Sequence, residues 1–248
     1  MISVVIPTLD EESALPATLA ALRDQEDAPP FEVILADGGS RDTTVALFES
    51  VPAVGASADD VAGAEAGPGG LHRRVVLCAA RGRAAQMNAG AALARGDALL
   101  FLHADTLLPP RGLAAIDAAL RDPRVAGGGF RMRYLEPDAR LRIVAAWATL
   151  RSRLTGIHYG DQGMFLRRDL FRRLGGFPPL PLFEDLRLAR LLRKEGTVIT
   201  LSYAVRTSGR RLLRDGVART SLQFGWLKLR HALGADPARL WREYRDVR

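Results

Sequence analysis

The chain has 248 residues, and its 35 lysines and arginines against 28 aspartates and glutamates give a formal net charge of +7. Its composition, 48% hydrophobic and 25% charged, is typical of a globular protein with a substantial core. The single cysteine, Cys78, excludes an intrachain disulfide and a multi-cysteine metal site.

No stretch reaches the roughly 18–20 apolar residues of a membrane-spanning helix, and the first seven residues lack the basic start of a signal peptide. We therefore expect a cytoplasmic protein, either free or peripheral to the inner face of the membrane. The positive charge is nearly all arginine, which favours anionic partners such as nucleotide phosphates or acidic lipid. Aromatic residues make up only 6% of the chain and no RNA-binding signature is present, so nucleic acid is not expected.

Strands and helices alternate in the first half. Short apolar runs ended by turn residues predict buried strands, and the spacing of Leu15, Leu19 and Leu22 is typical of one helix face. The predicted strands cover residues 3–6, 31–36, 74–78 and 98–102, and the predicted helices cover 15–22, 42–49, 84–94 and 110–120. This alternation predicts an α/β fold with a mainly parallel sheet, which binds ligands at the carboxyl ends of its strands.

The second half is less regular and ends in helices. The predicted strands cover residues 130–134, 164–166 and 197–205, and the predicted helices cover 139–154, 169–174, 186–194, 214–233 and 237–244. Residues 52–70, rich in Ala, Gly, Asp and Pro, predict a surface loop or disordered insertion. We predict a single domain over residues 1–248, with a nucleotide-binding half (1–106), an acceptor and catalytic half (107–212) and C-terminal helices (213–248).

Polar residues follow the first two strands. The first strand leads into Pro7, Thr8 and Glu11, and the second ends at Asp37-Gly38-Gly39-Ser40. The Asp37 carboxylate, at the end of the second strand, can accept hydrogen bonds from a base imide or a ribose hydroxyl. The two glycines after it let the backbone approach a ligand. The acidic turn after the first strand is equally compatible with a simple helix N-terminus. No phosphate-binding Gly-Lys-Ser/Thr loop is present.

Two arginines, Arg81 and Arg83, stand at the start of the third predicted helix. The helix dipole disfavours cations there, so the pair indicates either a diphosphate bound at this end or solvated side chains. After the fourth strand, His103 and Asp105 are two residues apart and would face the same side of an extended segment. They suit Mn²⁺ somewhat better than Mg²⁺, unless His103 only hydrogen-bonds Asp105.

Taken in order, these motifs resemble the family 2 glycosyltransferases, which are inverting enzymes of the GT-A fold. More narrowly, the chain looks like the small bacterial branch labelled arsenosugar-biosynthesis-type glycosyltransferases. The motifs that carry this likeness are Ala36-Asp37-Gly38-Gly39-Ser40, Gly82-Arg83-Ala84-Ala85-Gln86-Met87-Asn88, Leu102-His103-Ala104-Asp105, Tyr159-Gly160-Asp161-Gln162-Gly163 and Glu184-Asp185.

The resemblance implies a role for each matching position. A GT-A fold with a Rossmann-like, mainly parallel sheet, helices on both faces and a helical C-terminus is expected. The residues implied to hold the nucleotide base and ribose are Pro7, Thr8, Glu11 and Asp37, and those implied to approach the sugar nucleotide are Arg81 or Arg83, and Asn88. Asp105 matches the second acid of the family's metal-binding Asp-X-Asp and His103 replaces the first, so Mn²⁺ or Mg²⁺ is the implied cofactor.

The same likeness implies that Asp185, beside Glu184, removes the proton from the acceptor hydroxyl. An acidic cap on the following helix is the other interpretation of this pair. Asp161 and Gln162 are placed to hydrogen-bond acceptor or donor hydroxyls. Arg210 and Arg211 stand where processive synthases have Gln-X-X-Arg-Trp, which indicates a single transfer and a contact with the diphosphate, unless the pair is merely solvated.

The expected function is the transfer of a sugar from a UDP- or GDP-type donor to a small-molecule or lipid-linked acceptor. The alternatives are a sugar-1-phosphate nucleotidyltransferase, although its glycine-rich signature is absent, and a catalytically silent nucleotide-binding or scaffold protein. The C-terminal helix around Trp226 and Leu229 is basic and amphipathic, and it either packs on the domain or rests on a membrane surface.

Overall fold

A computed structural model describes residues 1–50, 72–77 and 82–246. The strands in this part of the chain are β1 (Ile2–Thr8), β2 (Phe31–Asp37), β3 (His72–Leu77), β4 (Ala98–Phe101), β5 (Thr106–Leu107), β6 (Val125–Tyr134), β7 (Met164–Arg167) and β8 (Thr197–Thr207). The helices are α1 (Leu15–Arg23), α2 (Thr44–Ser50), α3 (Arg83–Leu93), α4 (Gly112–Leu120), α5 (Ala139–Thr155), α6 (Arg168–Arg173), α7 (Glu184–Glu195), α8 (Arg210–Asp215), α9 (Val217–Ala232) and α10 (Pro237–Asp246). The predicted insertion 52–70, Cys78 and Arg81 lie outside the described residues.

The strands form one sheet in the order β3-β2-β1-β4-β7-β6-β8-β5. The first four strands of this order are parallel, as is the pair β6 and β8, whereas β7 is antiparallel to both of its neighbours and β5 to β8. The carboxyl ends of β1, β2 and β4 therefore meet at one edge. This arrangement confirms the predicted mixed, mainly parallel α/β sheet.

Both faces of the sheet are buried. Val4 and Ile6 of β1 pack in a cluster with residues of α1 and α4, while Val5 between them packs with residues of α3 and α7 on the other face. Successive side chains of a strand point to opposite faces, so a central strand with two covered faces has a nearly continuous run of apolar residues. The prediction of helices on both faces is confirmed.

The strand predicted for residues 130–134 begins earlier in the structure and includes three consecutive glycines. Strand β6 begins at Val125 and includes Gly127, Gly128 and Gly129. A Cβ on Gly127 or Gly128 would collide with a backbone oxygen of β7 or β8, and one on Gly129 would lie 2.6 Å from the His158 ring. The glycines thus allow neighbouring chain segments to approach β6 closely.

The single helix predicted for residues 214–233 is wrong. Two helices, α8 and α9, are separated by Gly216, whose φ of +90° is readily adopted only by glycine. Leu227 of α9 and Leu240 of α10 form a separate buried cluster with Phe183 and Leu186, which places the C-terminal helices against the start of α7. None of the helices in the described residues is long and apolar enough to cross a membrane.

Candidate active site

The first part of the site forms where β1 and β2 end side by side. Thr8 is the register partner of Asp37, and its hydroxyl donates a hydrogen bond of 3.2 Å to the Asp37 carboxylate. The same carboxylate accepts hydrogen bonds from the backbone N–H groups of Gly39 and Ser40, both at 2.8 Å, and from the Ser40 hydroxyl. The Gly-Gly-Ser turn therefore fixes the orientation of a buried carboxylate at the sheet edge.

Two further predicted residues lie close to this turn. Pro7 is half-buried in β1 beside Ala36, and the backbone N–H of Glu11 donates to the Thr44 hydroxyl at the start of α2. Burial raises the pKa of Glu11, and the negative charge of Asp105 raises it further. Glu11 and Asp105, which follow different strands, are thus brought within electrostatic range of each other.

Arg83 connects the two halves of the site. Its guanidinium lies at the start of α3, 3.8 Å from the Glu184 carboxylate at the start of α7. Burial raises the pKa of several acids, and the positive charge of Arg83 lowers it again in part. For His103 the two effects act in the same direction, and burial together with the charge of Arg83 lowers its pKa to about 3. The acids affected in this way are Glu11, Asp105, Asp161 and Glu184. Residues predicted for the donor, the metal and the acceptor therefore lie within electrostatic range of Arg83.

His103 and Asp105 follow β4, as predicted. The Nε2 atom of His103 is buried against Gly160 and has no hydrogen-bond partner among the described residues. It therefore does not hydrogen-bond Asp105, whose side-chain donor is Thr106. Burial raises the pKa of Asp105, whose carboxylate accepts a long hydrogen bond of 3.4 Å from Thr106. A neutral imidazole and a weakly engaged carboxylate fit a divalent ion that takes its other ligands from substrate phosphate or water. The described residues contain no group of three or more ligating side chains.

The predicted base lies at the first turn of α7. One oxygen of Asp185 accepts a hydrogen bond of 3.0 Å from the backbone N–H of Gly160, and the other accepts from the N–H of Leu186. The residue before the helix, Phe183, has φ +67°, an unusual conformation for a large side chain. Its ring is buried and stacks on His231 of α9 at a centroid distance of 4.8 Å. The C-terminal helices thus hold the turn that carries the base.

Asp161 forms a second acid beside the base. One of its carboxylate oxygens is buried and has no hydrogen-bond partner within the described ranges. Burial, and then the negative charge of Asp185, raise the pKa of Asp161 to about 6. The two acids predicted from the Gly-Asp-Gln and Glu-Asp motifs are therefore neighbours.

An aromatic and cationic cluster beside these acids was missed by sequence reasoning. Arg151 of α5 and Lys228 of α9 lie over the Tyr159 ring, 3.8 and 4.2 Å from its centroid. Burial and the nearby Arg151 lower the pKa of Lys228, while the charges of Asp161 and Asp185 raise it. One signal was available, because Lys228 is one of only two lysines in an arginine-rich chain.

Two predicted residues are engaged within the protein. The side-chain amide of Asn88 donates to the backbone oxygen of Phe177 and accepts from its N–H, at 2.8 and 2.9 Å. Gln162 is fully buried and bonds Arg151, Ser152 and the Phe130 backbone. Gln162 can reach a ligand only by giving up these bonds, whereas the half-buried Asn88 keeps one N–H donor and one lone pair. In this structure both side chains support the loops around the site.

Arg210 and Arg211, at the start of α8, have different surroundings. Arg210 is exposed and its charge lowers the pKa of both Glu11 and Asp105 against the effect of burial, so it belongs to the site. Arg211 instead stacks on the Tyr244 ring at 4.5 Å, with Asp215 at 3.7 Å. The structure therefore brings together the predicted residues at the ends of β1, β2 and β4 with those at the starts of α3 and α7, but not Arg211.

Comparison with known sequences places the chain in a protein family. The model of glycosyl transferase family 2 matches residues 3–175. The chain is 33% identical over 172 residues to the undecaprenyl-phosphate 4-deoxy-4-formamido-L-arabinose transferase of Aeromonas hydrophila subsp. hydrophila, covering 67% of this chain and 48% of that protein. The transferase of the same name from Sodalis glossinidius is 31% identical over 170 residues, with 67% and 48% covered. The chain thus spans about half the length of these curated relatives, and their names do not point to an arsenosugar branch.

Solved structures show the fold. S. aureus TarS 1-349 in complex with UDP superposes with a TM-score of 0.62 at 17% identity over 84% of this chain and 60% of that chain. The mannosyltransferase PcManGT from Pyrobaculum calidifontis, in complex with GDP-Man and Mn²⁺, superposes with a TM-score of 0.58 at 20% identity over 84% and 56%. The fold is that of the GT-A glycosyltransferases. The family match over most of the chain shows that it belongs to glycosyl transferase family 2.

Proposed function

We propose that the protein is an inverting glycosyltransferase that moves a sugar from a nucleoside-diphosphate donor to an acceptor hydroxyl, with Asp185 as the base. The observation that carries this proposal is the position of Arg83, whose charge acts on Glu11, Asp105 and Glu184. A donor diphosphate near this cation would have the nucleotide-binding acids on one side and the base on the other. Similar structures with UDP, UDP-GlcNAc and GDP-Man support a UDP- or GDP-type donor.

The donor would bind across the ends of β1 and β2. The fixed carboxylate of Asp37 can accept hydrogen bonds from the base or ribose, next to Pro7, Thr8 and Glu11. The guanidinium groups of Arg83 and Arg210 can then contact the diphosphate, because charge-assisted hydrogen bonds to phosphate are strong and suit arginine.

Asp105 and His103 would hold the divalent ion, Mn²⁺ or Mg²⁺. When bound, this ion supplies positive charge opposite the diphosphate that leaves the sugar. Manganese in the complex of the similar mannosyltransferase supports this assignment. The protein itself contributes the charges of Arg83 and Arg210, which stabilise the same developing negative charge.

The acceptor would enter between α7 and the loop 156–163. Asp185 is fixed by Gly160, and from there it can take the proton of an acceptor hydroxyl as that oxygen attacks the anomeric carbon. Attack from the face opposite the departing diphosphate inverts the configuration. Asp161, whose pKa the charge of Asp185 raises, would hydrogen-bond the acceptor while the base acts.

We favour a lipid-linked acceptor, with the protein on the inner face of a membrane. The support for a lipid carrier is the shared name of the curated relatives, which contains undecaprenyl phosphate. A phosphate oxygen carries almost no proton at neutral pH, so the base proposed here requires a lipid-linked acceptor that presents a hydroxyl. A small-molecule acceptor is the alternative. The two are separated by supplying acceptors of either class with a donor that binds.

The test begins with thermal shifts against UDP, GDP and their sugars, because a ligand at 100 times its Kd adds about 2.7 kcal/mol to stability. The binding donor is then incubated with Mn²⁺, and the first sugar product is analysed by NMR. The proposal expects release of a nucleoside diphosphate and a product of inverted anomeric configuration. A product of retained configuration overturns the inverting mechanism, and release of pyrophosphate identifies a nucleotidyltransferase.

A further inference from the structure

Two helices of the protein expose apolar stripes of the same pattern. On α5 the stripe consists of Ile143, Trp147, Leu150 and Leu154, and on α9 and its end it consists of Leu222, Trp226, Leu229 and Leu233. Both follow the spacing i, i+4, i+7, i+11, which places all four side chains on one helix face. These eight residues are 48–79% exposed and make up eight of the twelve exposed large apolar side chains in the described part of the chain.

The two stripes lie on neighbouring helices, because α5 and α9 contact each other and Arg151 and Lys228 approach the same Tyr159 ring. Single exposed apolar residues are ordinary on a protein surface, but two adjacent helical stripes, each with a tryptophan at its second position, are not. Tryptophan is the side chain most enriched at membrane–water interfaces.

The charge of these helices is of one sign. Helices α5 and α9 carry seven arginines and lysines and no acidic residue, a number equal to the net charge of the whole chain. Arg140 and Arg230 form ion pairs with Asp138 and Glu243. Arg142 and Arg153 are exposed, have no ion pair among the described residues, and fall on the same flank of the α5 stripe in a helix of 3.6 residues per turn.

We propose that α5 and α9 form a docking surface for an anionic lipid bilayer, with the eight stripe residues entering the headgroup region. A second copy of the chain is a poorer partner, because pairing these helices would bring like charges together without acidic residues to neutralise them. Apolar stripes with basic flanks instead match the chemistry of interfacial helices on anionic membranes.

The docking surface adjoins the active site, because Arg151 and Lys228 extend from the same two helices toward Asp161 and Asp185. An acceptor carried in the bilayer would then meet the base at the membrane surface. This last step rests on the proposed function, whereas binding to the bilayer does not and is measured without any substrate.

The experiment is sedimentation with vesicles, using equal parts of phosphatidylcholine and phosphatidylglycerol or phosphatidylcholine alone. The wild type is expected to bind the anionic vesicles, to bind the neutral ones at least about tenfold less, and to be released by salt. Trp147→Ser and Trp226→Ser should each weaken binding several-fold, and together at least about tenfold. Arg142→Gln with Arg153→Gln should weaken binding to anionic vesicles by about fivefold for each residue.

Leu93→Ser, which changes an exposed apolar residue of α3, is the matched control and should bind as the wild type does. Sedimentation velocity of the wild type and of each variant measures the oligomeric state and tests whether a second copy binds this surface instead. Equal binding to both kinds of vesicle, unchanged binding by the double tryptophan variant, or a wild-type dimer that this variant dissociates would overturn the proposal. Donor binding by each variant shows that it is folded, so a failure here is distinct from a failure of the proposed transfer.

Discussion

The backbone N–H of Gly160 donates a hydrogen bond of 3.0 Å to Asp185, so the loop before β7 holds the carboxylate at the start of α7. A Cβ on Gly160 would lie 2.5 Å from Nε2 of His103, and the loop would have to move to accept it. We expect Gly160→Ala to lower the transfer rate by about a hundredfold, because a base displaced by about 1 Å is misaligned.

The control for this prediction is Gly225→Ala in α9, where an added Cβ meets no other atom within 4 Å. This variant should keep its activity and gain up to about 1 kcal/mol of stability from the helix propensity of alanine. Wild-type activity in Gly160→Ala would show that the hydrogen bond does not orient the base.

Asp161→Asn should stabilise the protein in a pH-dependent manner. Because the pKa of Asp161 is raised from 3.8 to about 6, its ionisation opposes folding, and the cost grows from about pH 4 to pH 6 and is constant above. The asparagine variant should therefore gain at most about 3 kcal/mol at pH 7.5 and almost nothing at pH 4. Urea denaturation at both pH values measures the difference.

Burial lowers the pKa of two histidines, His103 to about 3 and His158 to about 4, so acid destabilises wild type and variant alike through these rings. The comparison between the two proteins removes this contribution. Asp117→Asn, which changes a carboxylate paired with Arg121 at the surface, is the control and should not gain stability at pH 7.5, because it only removes a weak exposed ion pair. A gain that does not depend on pH would contradict the assignment.

Asp37→Ala should weaken the binding of the free nucleoside diphosphate by at least about tenfold, because it removes charge-assisted hydrogen bonds to the ligand. Ser40→Ala is the companion variant, since it removes one hydroxyl donor to Asp37 and leaves the carboxylate and the backbone donors in place. Its effect should be within about threefold. Calorimetry measures both constants, and an unchanged Kd in Asp37→Ala would remove this residue from the donor site.

The metal preference should depend on His103. Asp105 provides one hard oxygen ligand, so Mn²⁺ alone should bind weakly, and the metal and the nucleoside diphosphate should strengthen each other's binding by the same factor. The wild type should be faster with Mn²⁺ than with Mg²⁺, and His103→Asp should shift the preference toward Mg²⁺. His103→Asn controls for the loss of the ring. Equal rates with both ions in wild type and His103→Asp would exclude His103 as a ligand.

Much of the site could be predicted from the sequence because it lies at the ends of parallel strands. Apolar runs locate such strands, and the polar residue that follows each run must lie at the common edge. Asp37 and Asp105 were found in this way, and the structure has the strands that they follow, β2 and β4, on either side of β1. The residues of each motif are close in sequence, so they are also close together in the folded protein.

The remaining features depend on contacts between distant segments. The left-handed conformation of Phe183 follows from the burial of its ring against α9, and the position of Lys228 over Tyr159 follows from the packing of α9 beside α5. The glycines of β6 are poor strand formers by composition, yet they occupy a strand in which neighbouring segments leave no space for a side chain. The local periodicity of the sequence does not predict such contacts between distant segments.

The most direct test of the account compares the wild type and Asp185→Asn with the same donor. Two quantities are measured, the rate of nucleoside diphosphate release in the presence of acceptor and the calorimetric Kd of the nucleoside diphosphate. Asp169→Asn, at the exposed start of α6, is the control. The account predicts that Asp185→Asn loses at least about a hundredfold in rate while its Kd stays within about twofold, because a base acts in the transition state and not on the bound nucleotide. Near-normal turnover by Asp185→Asn would contradict it.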